Sequence, residues 1–327
     1  MVTKRFFGTT KRGENVHAYT IENDRGISVT VLDYGATLQS VLLPHKGNRV
    51  DVVLGYDTIG AYENNDAYLG ASIGRCAGRI PDSVLRIGTD VFPLSKNEGN
   101  NHLHGGFSGF DKRVWSAEII GDSVRFTLRS PDGEEGYPGT LLCSAAFTLS
   151  ETTLSIRYCG ESDRKTGWNP TNHAYWNLNG HDAGDARGHF LELPASRYLP
   201  VGGDMLPTGG EADVTGTDFD FRTLRMIGGC FDHSFVLSPG PIRLFGAFGI
   251  GMEIETNCRA VQLYTSNFLT PRTGKGGVSY GLYGAVCLET EGRQAMPDQP
   301  IAAENVLQPG KAPTPRETKY RFIIKED

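Results

Sequence analysis

Short runs of apolar, β-branched and aromatic residues recur along this chain, divided by clusters of Gly, Pro, Asp and Ser. I-S-V-T-V-L-D-Y-G (Ile27–Gly35), V-R-F-T-L-R-S (Val124–Ser130), T-L-S-I-R-Y-C-G (Thr153–Gly160) and A-V-Q-L-Y-T-S (Ala260–Ser266) are of this kind. Several alternate apolar and polar residues with period two, the mark of a strand with one buried face. Turn chemistry separates them: P-D-G-E-E-G at Pro131, L-P-V-G-G-D at Leu199 and L-S-P-G-P at Leu237. Long stretches with apolar residues at three-to-four spacing are missing, and the best helical candidate is a short one around Thr58–Tyr62. The pattern predicts an all-β chain, a large antiparallel β-sandwich with few short helices, rather than a βαβ fold. No Pro- or Ser-rich hinge and no fixed repeat divides it, so residues 1–327 read as a single domain. The Gly-rich stretch T-G-K-G-G-V at Thr273 reads as a mobile loop tip between strands.

Composition narrows the function classes. With 327 residues, 39% hydrophobic and 10% aromatic, the chain can bury a substantial core and is not disordered. A formal net charge of −6 argues against nucleic-acid or anionic-membrane partners, which call for clustered Lys and Arg. No segment approaches the roughly 20 apolar residues of a membrane span, and the N-terminus carries no apolar stretch behind its basic residues. A soluble cytoplasmic protein is expected. Cys76, Cys143, Cys159, Cys230, Cys258 and Cys287 are scattered without a C-x-x-C, which favours free thiols over disulfides or a zinc site.

The most informative chemistry is a histidine in a polar setting, T-N-H-A-Y-W-N-L at Thr171–Leu178, answered far downstream by a carboxylate ending an apolar run, G-A-V-C-L-E-T-E at Gly284–Glu291. His173 can hold a proton near neutral pH and Glu289 can take one, so together they could move protons without metal or cofactor. Tyr175 and Trp176 add aromatic faces of the kind sugar rings pack on; equally, both rings could be core and His173 a satisfied buried histidine. Glu289 is costly to desolvate beside Ala285–Leu288 unless something pairs with it, although a strand-end glutamate in solvent would need no such reason. In N-H-L-H-G-G, His102 and His104 at i and i+2 would share a strand face as a possible metal pair, but no nearby ligand completes the set; polar-ligand contact or a structural turn are the other accounts. Arg75 and Arg79 in G-R-C-A-G-R-I could be a surface pair or a substrate clamp. Asp232 and Gln262 are polar positions inside strand-like segments, each weak alone. No nucleophile elbow, Walker loop or G-x-G-x-x-G follows a strand, leaving hydride and phosphoryl transfer unsupported.

Taken together, G-R-C-A-G-R-I, N-H-L-H-G-G, D-G-E-E-G-Y-P-G, T-N-H-A-Y-W-N-L, D-H-S-F, Q-L-Y-T-S-N-F-L and C-L-E-T, in that order from about Asp51 to the C-terminal Y-R-F, resemble the aldose 1-epimerase (galactose mutarotase) family. The resemblance implies a galactose mutarotase-like supersandwich and interconversion of α and β anomers of free aldoses. It places the general acid on His173, the general base on Glu289, and sugar contacts on Arg79, His104, Tyr175, Asp232 and Gln262, with no metal, no cofactor and a monosaccharide substrate. A non-catalytic sugar-binding or sensing protein on the same fold is the main rival; a glycoside hydrolase would call for two carboxylates across the scissile bond. Two departures stand out. Gly78 occupies a place where many members carry Asn, and after L-E-T this chain continues with Glu291 and G-R-Q-A-M before Pro297-Asp298. Glu291 is therefore a competing candidate for the base. If Glu289 and His173 form an ion pair, the carboxylate charge is expected to outweigh burial and raise the imidazole pKa.

Overall fold

The computed structural model describes residues 1–311 and 314–325. Its largest element is a nine-stranded sheet, in spatial order Ser116–Ile120, Ser123–Ser130, Leu141–Ser150, Thr153–Ser162, Arg316–Ile324, Ile250–Thr256, Ile242–Phe245, Phe190–Glu192 and Arg225–Met226. Every ladder in it is antiparallel. Period-two alternation is realised here: Val124, Phe126 and Leu128 point into the core while Arg125 and Arg129 face out. An N-terminal five-stranded sheet runs from Val2–Thr9 to Asn48–Asp51. Its middle strand, Ser28–Leu32, is buried at every position, so the run begun at Ile27 is covered on both faces.

One cluster of buried apolar side chains joins these layers, from Tyr19 and Val29 through Phe126, Phe147 and Trp176 to Tyr320 and Phe322. The expected short helix forms at Ile59–Glu63, its N-terminus capped by the Thr58 hydroxyl accepting from the Ala61 N–H. It is the one α-helix among the described residues. The all-β sandwich read from the sequence is the fold of the chain.

The Gly-rich stretch does turn between two short strands, Arg272–Thr273 and Ser279–Tyr280. It is not a loose tip, however. Lys275 is buried, donating to the Gln39 carbonyl at 2.9 Å and to Asp51 at 2.7 Å, which ties the turn to the N-terminal sheet.

A second five-stranded sheet carries the chemistry: Ala212–Asp213, Arg197–Tyr198, Asp232–Val236, Ala260–Tyr264 and Cys287–Glu291 in spatial order. Register matters here. Gln262 lies opposite both Ser234 and Glu289, and Asp232 lies opposite Tyr264. Directly opposed residues share a sheet face, and Asp232 shares one with Ser234 two residues on. Asp232, Gln262 and Glu289 thus come to one side of the sheet.

Candidate active site

On that side lies a cleft of about 190 Å³, lined by His104, His173, Tyr175, Asp232, Gln262 and Glu289 among others. His173 reaches it from a segment fastened by backbone hydrogen bonds on two sides. Its N–H donates to the Ala71 carbonyl and its carbonyl accepts from the Gly70 N–H, both at 2.9 Å. Gly70 has φ +70°, and a Cβ there would overlap the Leu38 carbonyl oxygen, so this approach requires glycine. Toward the other side, Thr171 donates to the Thr290 carbonyl at 3.0 Å. Trp176 and Val286 exchange backbone bonds of 2.9 and 2.8 Å. The strand that bears Glu289 is thereby docked onto the segment that bears His173, and His173 Nε2 stands 3.7 Å from Glu289 Oε1.

Both groups are buried, His173 with 5% and Glu289 with 4% of its surface exposed. Aromatic rings surround the imidazole. Tyr175 stacks on it at 5.0 Å and Tyr68 is parallel to it at 6.0 Å, while Tyr264 meets it edge-on at 6.2 Å. Burial dominates the electrostatics. It pushes His173 down to about 4 and Glu289 well above the usual carboxylate range, the nearby Glu291 and Asp232 charges adding to the latter. The expected upward shift of His173 is therefore reversed: rings pack around it too closely for the carboxylate charge to make up for lost water. Burial thus favours the uncharged form of each group, a protonated carboxyl beside a neutral imidazole.

The two histidines of N-H-L-H-G-G part company. His102 is fully buried, its ring held by the Ser95 carbonyl at 2.8 Å and the Tyr137 hydroxyl at 2.9 Å. His104 has φ 52° and leaves the strand, so the shared face that i and i+2 spacing implies does not form. Its Nδ1 accepts from the Gly78 N–H at 3.2 Å, which fixes a neutral ring with Nε2–H as the remaining donor. Burial, with His173 and Arg79 nearby, holds its pKa well below the ordinary histidine value. A metal-ligand triad does exist, but it is His104, His173 and Glu289, whose ligand atoms all lie within 4.8 Å of one another. It could take a divalent ion only in place of the proton pair.

The arginines also separate. Arg75 is buried and uses its guanidinium on Ser130, Thr166 and the carbonyls of Ser130, Pro131 and Pro138, a structural anchor rather than a surface or clamping group. Arg79 lines the cleft, held by Glu98 through Nε and Nη2 at 2.7–3.0 Å. Gln262 Nε2 donates to Asp232 at 2.6 Å, while burial raises the Asp232 pKa. Tyr175 spends its hydroxyl on the Ala67 carbonyl at 2.9 Å and presents its ring. Trp176 is core, packed on Tyr320 and Phe322. Glu291 also borders the cleft, but its neighbours are Asn169 and Gln294 rather than His173. Burial lifts its carboxyl to about 8.

Sequence reasoning missed Tyr68, Glu98, Tyr264, Arg272 and Gln294. Tyr68 sits at φ 56° in a turn, and Arg272 is held by Asp66 at 2.6 Å. Neither carries a local pattern. Gln294 fell inside the segment noticed as a departure, and its type was the available signal.

A buried carboxyl–imidazole pair, ringed by aromatic faces and neutral or cationic donors in an antiparallel sandwich, defines an acid–base enzyme for a small polar substrate. A family model described as aldose 1-epimerase matches residues 17–316. Galactose mutarotase of Mus musculus is 35% identical over 95% of each chain, and aldose 1-epimerase of Escherichia coli is 34% identical over 96% of this chain and 97% of its own. The crystal structure of galactose 1-epimerase from Lactobacillus acidophilus superimposes with a TM-score of 0.87 at 30% identity, covering 100% of this chain and 99% of that one. The chain belongs to the aldose 1-epimerase family. Its activity is that of an isomerase, a mutarotase, and not non-catalytic sugar binding.

Proposed function

We propose that Glu289 is the general base and His173 the general acid of this isomerase, acting on free aldoses such as galactose or glucose. The observation that carries the assignment is the 3.7 Å approach of two buried titratable groups on cross-bonded backbone. Opening a pyranose removes the C1 hydroxyl proton while the ring oxygen gains one. A C1 hydroxyl donating to Glu289 stabilises the carboxylate, and the shared proton moves to His173. Ionised Glu289 then takes the hydroxyl proton as the imidazolium protonates the ring oxygen. The products are the open-chain aldehyde and the neutral pair, the arrangement that burial favours. Rotation about C1–C2 presents the other aldehyde face, and both transfers reverse to close the ring.

In this reading Arg79, neutral His104 with its Nε2–H, Asp232 and Gln262 hold the sugar hydroxyls, and Tyr175 supplies a ring face. None of these steps calls for a metal or organic cofactor. The whole chain acts as one domain, supported by the core cluster that runs from Tyr19 to Phe322. Six free cysteines fit a reducing compartment, the cytoplasm; no helix among the described residues is long and apolar enough to cross a membrane. The test is polarimetric. Freshly dissolved α-galactose and α-glucose should reach their equilibrium rotation faster with protein than without, and equal rates for every aldose tried would refute the proposal.

A further inference from the structure

The segment after Glu291 reaches back over the cleft and brings in Gln294, a cleft-lining side chain. Its placement is set by the two residues before it. The Gly292 N–H donates to Asn169 Oδ1 at 2.7 Å, and the Arg293 carbonyl accepts from Asn305 Nδ2 at 2.7 Å. No side chain larger than glycine fits at 292, where a Cβ would overlap the Asn305 amide. The loop is therefore anchored immediately before Gln294.

From there the Gln294 amide does two things. Its Nε2 donates to Gln262 Oε1 at 2.9 Å, and Gln262 in turn donates through Nε2 to Asp232 at 2.6 Å. The Gln262 carbonyl is taken by one neighbour and its amino group by the other, so its orientation is fixed. The same amide also occupies the space above Gly78, where an added Cβ would lie 3.4 Å from Gln294 Nε2 and 3.7 Å from its Cδ. Gly78 directly precedes Arg79 and donates its N–H to His104. Gln294 thus stands where the Gln262–Asp232 side of the cleft meets the Arg79–His104 side. Its Nε2 is turned to Gln262, with the Glu291 carboxyl also beside the amide, and the side-chain oxygen is the acceptor that remains for a hydroxyl.

We propose that Gln294 is a specificity-determining residue of this enzyme, contacting one hydroxyl of the bound aldose through its side-chain amide and filling the space that Gly78 leaves open. The proposal rests on the aldose reading above and goes beyond it in saying where discrimination between sugars arises. The hydroxyl that touches Gln294 is bound more tightly than its epimer, because the epimer leaves the amide oxygen without a donor.

The experiment is a polarimetric survey of kcat/KM for glucose, galactose and their monodeoxy derivatives with wild type, Gln294→Ala and Gln294→Leu. Gln294 is half-buried on a loop, and the leucine variant keeps its bulk while removing the amide. Wild-type acceleration of mutarotation tests the aldose reading separately. Both variants should lose roughly three- to tenfold in kcat/KM for sugars carrying the contacted hydroxyl. For the one deoxy sugar lacking it, the loss should be under about twofold. Gly78→Asn adds an amide at φ +73°, a conformation Asn tolerates; alone it should crowd Gln294 and lower the same rates, and on the Gln294→Ala background it should lower them no further. A loss equal across every sugar would mean that Gln294 acts only by orienting Gln262, and would overturn the proposal. So would no loss at all, or additive losses in the double variant.

Discussion

Replacing Glu291 with glutamine separates the two carboxyls of the strand by their effect on stability as well as on rate. The Glu291 carboxyl is pushed from its ordinary 4.5 to about 8, chiefly by burial, with Gln294, Arg316 and Asn169 pulling the other way. A group whose folded pKa is raised leaves stability untouched below its unfolded value and costs progressively more as pH rises toward the folded one. Between pH 4.5 and 7 each pH unit costs about 1.4 kcal/mol, so at pH 7 the buried carboxyl destabilises by about 3 kcal/mol, and by more at pH 8. Glutamine has the same shape, carries no proton to lose, and keeps an oxygen for the Asn169 amide that now donates at 3.4 Å. Glu291→Gln should therefore unfold at a temperature higher by roughly 4–5 °C at pH 7, with a gain that vanishes near pH 4.5. Thermal unfolding from pH 4.5 to 8, followed by circular dichroism, reads this directly. The same variant should keep mutarotation within a few-fold of wild type. A stability gain independent of pH would refute the electrostatic argument, and collapse of activity with a folded Glu291→Gln protein would move the base to position 291.

His173→Ala and Glu289→Ala should each cut mutarotation by at least about a hundredfold while the fold survives; near-normal rates in either folded variant, measured by polarimetry, would remove that residue from the mechanism. The pH profile of kcat/KM should be broad, since the working pair carries one proton. Its acid limb, where the pair gains a second proton, should lie near the value of about 4 to which burial holds His173, and its alkaline limb, where the pair loses its only proton, well above the carboxylate range. An acid limb close to the free-histidine value of about 6.5 would show that burial does not govern the pair. Activity should survive exhaustive chelation, and loss on chelation with recovery on adding zinc would show that the His104–His173–Glu289 triad works as a metal centre.

Strand content and the buried face of each strand were legible because period-two alternation is local: Val124, Phe126 and Leu128 announce their side of the sheet within five residues. Sheet order was not legible. Nothing in Arg316–Ile324 says that it inserts between Thr153–Ser162 and Ile250–Thr256, because that pairing is decided by the whole core. That His173 and Glu289 meet could be anticipated from residue type and resemblance, yet the direction of their pKa shifts could not, since these depend on how closely Tyr68, Tyr175 and Tyr264 surround the ring. Spacing left His102 and His104 open between a shared strand face and a turn, and one positive φ at His104 decides for the turn by parting two residues that a regular strand would hold together. Arg79 was visible, whereas Glu98, which positions it, was not; an ion pair across a turn leaves no periodic trace.

The paired backbone bonds between Trp176 and Val286, which tie the His173 segment to the run leading into the strand of Glu289, bear on how this enzyme can change over generations. His173 and Glu289, the proposed acid and base, are held near each other by these main-chain atoms, which substitution does not alter. The groups above Gly78 arrive on a surface loop, where replacements and length changes are tolerated. With the specificity role proposed for Gln294, drift in that loop retunes which aldose is accepted while the His173–Glu289 distance stays inherited, so substrate preference diverges among descendants before the reaction itself is lost.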